Sequence, residues 1–152
     1  MKSFFKLTIL IFLSVFLSYS CNKENKTQNR QNTNTANIRK KDETFAKRVS
    51  LNDAKYLIDN KTKNRLNIID VRTPEEYREY HIKDSVNINY NDNFKYHISK
   101  LNKNKKYLIY CRTGHRSSEA LKIMKSLGFK YVYEMEKGIK GWKEKGWNVV
   151  KL

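Results

Sequence analysis

The stretch Tyr107 to Ala120 reads YLIYCRTGHRSSEA: a short apolar and aromatic run, a cysteine, a polar loop with one glycine, then a helix-forming segment. Tyr107–Tyr110 has the near-continuous apolar character of a strand buried on both faces of a parallel sheet. A helix is expected from near Ser117 to Leu127, because Ala120, Leu121, Ile123, Met124 and Leu127 fall at helical spacing and Gly128 supplies a stop. Cys111 therefore stands between the end of a parallel strand and the start of a helix, where open α/β sheets bind ligands. Backbone N–H groups of such a loop converge on one point, and the helix N-terminus adds partial positive charge. Arg112 and Arg116 bracket the loop and His115 adds to it. Each of these favours thiolate over thiol. A lone cysteine is ordinarily a small buried hydrophobe; here the Arg, Thr, Gly, His, Arg and Ser that follow argue against apolar burial and for a reactive thiol.

The same alternation repeats outward from this stretch. Asn52–Ile58 is expected to be helical, flanked by Ser50 and Asp53, with Ala54, Leu57 and Ile58 on one side. Leu66–Val71 is an apolar strand. Thr73, Pro74 and Glu76 form a helix start: an N-cap, a proline in the first turn and a glutamate three residues after the cap. That helix should reach about Tyr80. Ser85–Ile88 and Tyr131–Tyr133 are further strands, and Phe94–Leu101 a short helix. Strands alternating with helices imply an α/β fold, parallel pairing and helices on both faces.

The chain has 152 residues, which allows one domain plus appendages. Apolar residues make up 39%, enough for a core, so wholesale disorder is excluded despite a net charge of +17. Two cysteines exclude a Cys-rich zinc module and a disulfide-dense miniprotein. Without a continuous apolar run of ~18 residues, a polytopic membrane protein is excluded too. The charge is spread, +2 in residues 1–21, +5 in 22–50 and +10 in 51–152. No basic stripe with interleaved aromatics stands out, so no nucleic-acid partner is expected; attraction to anionic lipid is the modest alternative to a plain compositional bias.

Lys2 and Lys6 precede Leu7–Leu17, where nine of eleven residues are apolar, and Ser18 and Ser20 lead to Cys21. Basic, apolar and small residues in this order make a secretory signal. A cysteine where cleavage should fall resembles the lipobox of bacterial lipoproteins, which implies acylation of Cys21, although Ser18 and Tyr19 depart from the common pattern. Residues 22–44 are expected to form an Asn/Lys-rich tether, with six Asn among residues 22–37, spanning roughly 25 to 30 Å as a coil. The expected organisation is thus 1–21 signal peptide, 22–44 tether and 45–152 folded domain, lipid-anchored in a bacterial cell envelope and facing the periplasm or exterior, or secreted if Cys21 is not acylated.

CRTGHRS, from Cys111 to Ser117, resembles the active-site loop of rhodanese-like sulfurtransferases. Two other stretches agree: DVRTPEEYREYHIKDSVNI, from Asp70 to Ile88, and GIKGWKEKGWNV, from Gly138 to Val149. The resemblance covers residues 45–152 and implies a central parallel five-stranded sheet with helices on both faces. It implies that Cys111 is the nucleophile, taking a sulfane sulfur from thiosulfate or a similar anion and passing it, as a persulfide, to a thiol or cyanide. By the same resemblance the backbone of Arg112, Thr113, Gly114, His115, Arg116 and Ser117 cradles the persulfide, and Arg112, Arg116 and His115 attract the donor. Asp70 and Arg72 brace the site. No cofactor or metal is implied, and a monomer is expected. Tyr80, Asp84, Ser85, Lys137 and Asn148 stand where the family usually has Gly, Gly, Ala, Gly and Pro, which puts local loop shape in question.

Phosphatases with a related fold use Cys-x5-Arg, whereas only four residues separate Cys111 from Arg116; the shorter loop suits one sulfur better than a phosphate. A non-catalytic binding or sulfur-sensing module is the alternative to the enzyme. His81 and His97 are expected to be structural or exposed, and Trp142 and Trp147 to belong to the core. If Cys21 is acylated, Cys111 is the one free thiol of the mature chain, and its sulfur must leave to an external acceptor.

Overall fold

The computed structural model describes residues 45–152. The expected signal peptide, tether and lipid-bearing Cys21 lie outside the described residues. In chain order the elements are β1 (Phe45–Val49), α1 (Leu51–Asp59), α2 (Lys61–Asn64), β2 (Leu66–Asp70), α3 (Pro74–Glu79), β3 (Ser85–Asn87), α4 (Phe94–Ser99), β4 (Lys106–Tyr110), α5 (His115–Ser126), β5 (Tyr131–Met135) and α6 (Gly138–Glu144). The five strands form one parallel sheet in the order β1-β5-β4-β2-β3.

Alternation along β4 divides the core into two layers. Tyr107 and Ile109 join Phe94 and Ile98 of α4 and Ala120 and Met124 of α5 on one face. Leu108 and Tyr110 join Ala54 of α1 and Ile139 and Trp142 of α6 on the other. Helices thus cover both faces, as the α/β reading expects, and residues 42–152 form a compact unit with its own core on each side of the sheet.

Three elements have no counterpart among those expected from pattern: β1, the four-residue α2, which buries no side chain, and α6. In β1, an edge strand with sequence FAKRV, only Val49 is buried, so it carries little apolar signal. Helix α6, GIKGWKE, buries two glycines along with Ile139 and Trp142. Helix α5 also begins earlier than expected, at His115 instead of near Ser117, because Gly114 turns the chain at φ +100°.

Asp84 and Lys137 stand where the family resemblance expects glycine, and both adopt positive φ, +64° and +57°. The backbone keeps a glycine-like turn and the side chains tolerate it, at a cost of about 1 to 2 kcal/mol each. Tyr80 is extended and needs no such tolerance. Because the strands are parallel, Asp70, Tyr110 and Met135 end β2, β4 and β5 on one common edge.

Candidate active site

The loop after β4 sits on that edge. Its start is held by α6: Ile139 N–H donates to the Cys111 carbonyl at 2.8 Å and Lys140 N–H to that of Arg112 at 2.9 Å. So close an approach requires Gly138, since a Cβ there would lie 2.3 Å from the Cys111 oxygen.

Cys111 is only 1% exposed, which corrects the expectation that its polar neighbours would keep it from apolar burial. The reason is strand alternation. Cys111 continues the series Tyr107, Ile109 and packs in the same layer, with Ala120 of α5. The polar character of the loop is expressed elsewhere: Arg112, Thr113 and His115 are exposed, while Gly114 and Ser117 are buried.

The sulfur nevertheless meets polar groups. Gly114 N–H donates to Cys111 Sγ at 3.1 Å. The first internal bond of α5 is made by Ser118 N–H to the Gly114 carbonyl, and no side chain caps the helix. The N–H groups of His115, Arg116 and Ser117 therefore precede the helical ladder and are available to an anion at this terminus.

Ser117 has one hydroxyl proton and three acceptors in reach. Glu134 Oε1 is at 2.7 Å, the Gly114 carbonyl at 3.2 Å and Cys111 Sγ at 3.5 Å. The shortest and charged partner takes the proton. Glu134 is fully buried on β5 and also accepts from Arg48 Nε of β1 at 2.5 Å.

Arg116 and Arg112 differ in their surroundings. Both terminal nitrogens of Arg116 reach the Glu76 carboxylate, at 2.6 and 2.8 Å. Glu76 also closes the capping box of α3, accepting from Thr73 N–H at 3.1 Å. The Arg116 guanidinium holds the Glu76 carboxyl well below the ordinary 4.5, at about 2, against the opposing effect of burial. Arg112 is exposed and makes no ion pair among the described residues.

Asp70 and Arg72 are both buried and pair with each other, Arg72 Nη2 lying 2.7 Å from Asp70 Oδ2. Arg72 Nη2 also donates to the Tyr80 carbonyl at 2.5 Å. Asn87 Nδ2 donates to the carbonyls of both residues. These contacts fix the turn between β2 and α3, from which Glu76 reaches the loop. On the opposite face the buried Tyr110 hydroxyl accepts from Ile82 N–H at 3.1 Å and lies 3.0 Å from Ser85 Oγ, and burial pushes the phenol upward.

His81 is buried and stacked on Tyr77, and His97 is exposed. Trp142 is buried, with its ring 4.8 Å from the half-buried Trp147. Two residues escaped the sequence reading. Glu76 was recognisable as a capping residue but not as the partner of Arg116, and Glu134 was signalled only by a carboxylate inside the strand YVYEM.

The model of the rhodanese-like domain matches residues 53–145. YrkF of Bacillus subtilis, named for a proposed sulfur-carrier role, is 37% identical over 94 residues, covering 62% of this chain and 49% of that protein. The chain thus spans about half the length of that relative. Thiosulfate sulfurtransferase PspE of Escherichia coli is 34% identical over 66 residues, covering 42% of this chain and 62% of its own. Among solved structures, a rhodanese-related protein from Thermoplasma volcanium is 31% identical with a TM-score of 0.55, over 68% of this chain and 97% of that one. The BH2092 protein of Bacillus halodurans gives a TM-score of 0.61 at 25% identity, over 70% and 77%. With a family match over residues 53–145, most of the described fold, the chain belongs to the rhodanese-like domain family.

Proposed function

We propose that the protein is a sulfurtransferase that carries sulfane sulfur on Cys111. The observation that supports this most is the placing of the Cys111 sulfur at the N-terminus of α5. There Gly114 N–H already donates to it and three further N–H groups precede the helical ladder. In the proposed step the Cys111 thiolate attacks the outer sulfur of thiosulfate. The sulfur–sulfur bond of the donor breaks, and sulfite leaves with its electron pair. Cys111 then holds a persulfide anion that the loop N–H groups stabilise as an oxyanion hole stabilises oxygen. A thiol or cyanide attacks the terminal sulfur, and the cysteine thiolate departs with the bonding pair.

The test is thiocyanate formation from thiosulfate and cyanide, wild type beside Cys111→Ser. The expected result is activity in the wild type and none in the variant; equal rates would remove the reading. Mass spectrometry after thiosulfate alone should find a gain of about 32 Da, one sulfur atom, on the Cys111 peptide. We also propose that Cys21 carries a lipid that holds the domain in the cell envelope. Labelled fatty acid should then be incorporated by the wild type and not by Cys21→Ala.

A further inference from the structure

The pole opposite Cys111 is where strands begin: Phe45, Leu66, Lys106 and Tyr131 open β1, β2, β4 and β5. Between α2 and these strand starts lies a depression of about 700 Å³. Lys61, Lys63, Arg65, Lys105 and Lys106 line it, with no Asp or Glu among the lining residues. Lys61 is paired with Asp84. Lys63, Arg65, Lys105 and Lys106 make no ion pair among the described residues. Four cations without an ion pair among the described residues thus gather at one pole, a surface that attracts anions.

The same pole leaves two aromatic side chains open. Phe45 is 43% and Tyr131 37% exposed, and the two are neighbours in the register of β1 and β5. Cations beside exposed aromatic rings suit the headgroup zone of an anionic bilayer, where rings settle at the interface and Lys and Arg meet lipid phosphates. Residues 1–44, which include the apolar run Leu7–Leu17, join the described fold at Phe45, on this pole.

We infer that this pole docks on an anionic lipid surface. Cys111 then faces away from the lipid, beyond strands that rise roughly 16 Å over five residues. The sulfur chemistry stays open to solvent and to an acceptor arriving from the far side. This docking depends neither on the sulfur-transfer reading nor on acylation of Cys21, because the surface belongs to residues 45–152.

The experiment uses residues 42–152, which carry a complete core. Co-sedimentation compares phosphatidylcholine vesicles with vesicles that also contain phosphatidylglycerol, at low ionic strength. Two variants of equal charge are set beside the wild type, each checked for folding by circular dichroism. One combines Lys63→Gln, Arg65→Gln, Lys105→Gln and Lys106→Gln; the other combines Lys95→Gln, Lys122→Gln, Lys137→Gln and Lys140→Gln, away from the strand starts. The expected result is partition into the anionic vesicles alone, reduced at least about tenfold by the first variant and less than about twofold by the second. A measurement that needs no variant is broadening of amide NMR signals by nitroxide-labelled lipid. It should centre on Phe45, Leu66, Lys106 and Tyr131 and spare Cys111 to Ser117. Equal losses in both variants, broadening centred on the Cys111 loop, no partition at all, or displacement from vesicles by an oligonucleotide bound more tightly at this pole would each overturn the inference.

Discussion

Arg116 and Glu76 form a two-pronged ion pair across 40 residues of sequence, with Nη1 at 2.6 Å from one carboxylate oxygen and Nη2 at 2.8 Å from the other. The carboxylate that closes the capping box of α3 thus also latches the loop after Cys111. The first turn of α5 is where an anion should be held. Arg116 therefore shapes that turn from outside, and the charge available to an arriving donor comes from the exposed Arg112.

The latch makes stability depend on acid. Glu76 titrates at about 2 in the fold against an ordinary 4.5, chiefly because Arg116 hydrogen-bonds its charged form. A carboxyl whose folded value is depressed stabilises the fold above the unfolded value and loses that contribution as pH falls towards the folded one. The difference sets a ceiling near 3 kcal/mol. With side-chain exposures of 22% and 26% for the pair, screening leaves about 1 to 2 kcal/mol. Urea unfolding of wild type and Glu76→Gln should differ by that amount at pH 7, and the gap should narrow steadily from pH 4.5 down to pH 2.

The two arginines should separate kinetically. Arg112→Ala is expected to raise KM for thiosulfate about five- to twentyfold with little effect on folding, the scale of one solvent-exposed charged contact. Arg116→Ala should instead lower kcat and shift the urea midpoint, because Glu76 loses its partner and the first turn of α5 loosens. Steady-state assays with thiosulfate varied at saturating cyanide, beside unfolding curves, distinguish these outcomes. Equal KM effects from both variants would mean that Arg116 leaves Glu76 to bind the donor.

The sequence made legible what local chemistry decides. The apolar run of β4 and the helical spacing of Ala120, Met124 and Leu127 located the strand, the loop and α5 because each signal lies within one element. Thr73 and Glu76 announced α3 through a capping box that spans four residues. Long-range facts stayed hidden. The partner of Arg116 lies in another helix, and the burial of Cys111 follows from which face of β4 lies beneath α5. The edge strand β1 escaped because FAKRV buries one residue, and its pairing with β5, which joins Arg48 to Glu134, is a tertiary event.

That last pair predicts an inversion of the usual link between exposure and cost. Arg48 has a side chain 54% exposed, while Glu134 is fully buried. Arg48→Ala would leave the buried carboxylate with only the Ser117 hydroxyl, at a cost of about 2 kcal/mol once solvent access to the site is considered. Glu134→Gln keeps a carbonyl oxygen for Arg48 and an amide that can donate to Ser117, and should cost less, about 1 kcal/mol. Chemical unfolding at pH 7 measures both, and the half-exposed position is expected to be the more sensitive one.

Lys137 offers a stabilising change beside the loop. It caps α6 at φ +57°, a conformation that strains an L side chain and that glycine adopts freely. Relief of that strain exceeds the extra unfolded-state entropy of glycine, so Lys137→Gly should raise stability by up to about 1 kcal/mol. The expected readout is a higher thermal midpoint with thiocyanate formation unchanged.

Its neighbour should behave in the opposite way. Gly138 also has positive φ, +55°, and a Cβ there would lie 2.3 Å from the Cys111 oxygen and 2.6 Å from the carbonyl carbon and oxygen of Arg112. These are backbone atoms and cannot swing aside as a side chain could. Relief requires α6 to move off the loop and break the bonds from Ile139 and Lys140 to the Cys111 and Arg112 carbonyls. Gly138→Ala is therefore expected to cost at least about 3 kcal/mol, from strain plus two lost hydrogen bonds. It should also release the loop that presents the Cys111 sulfur to Gly114 N–H. Hydrogen exchange would find Ile139 and Lys140 amides losing protection together, with sulfur transfer falling even where the protein remains folded. A variant of wild-type stability and activity would mean that α6 does not set the position of Cys111.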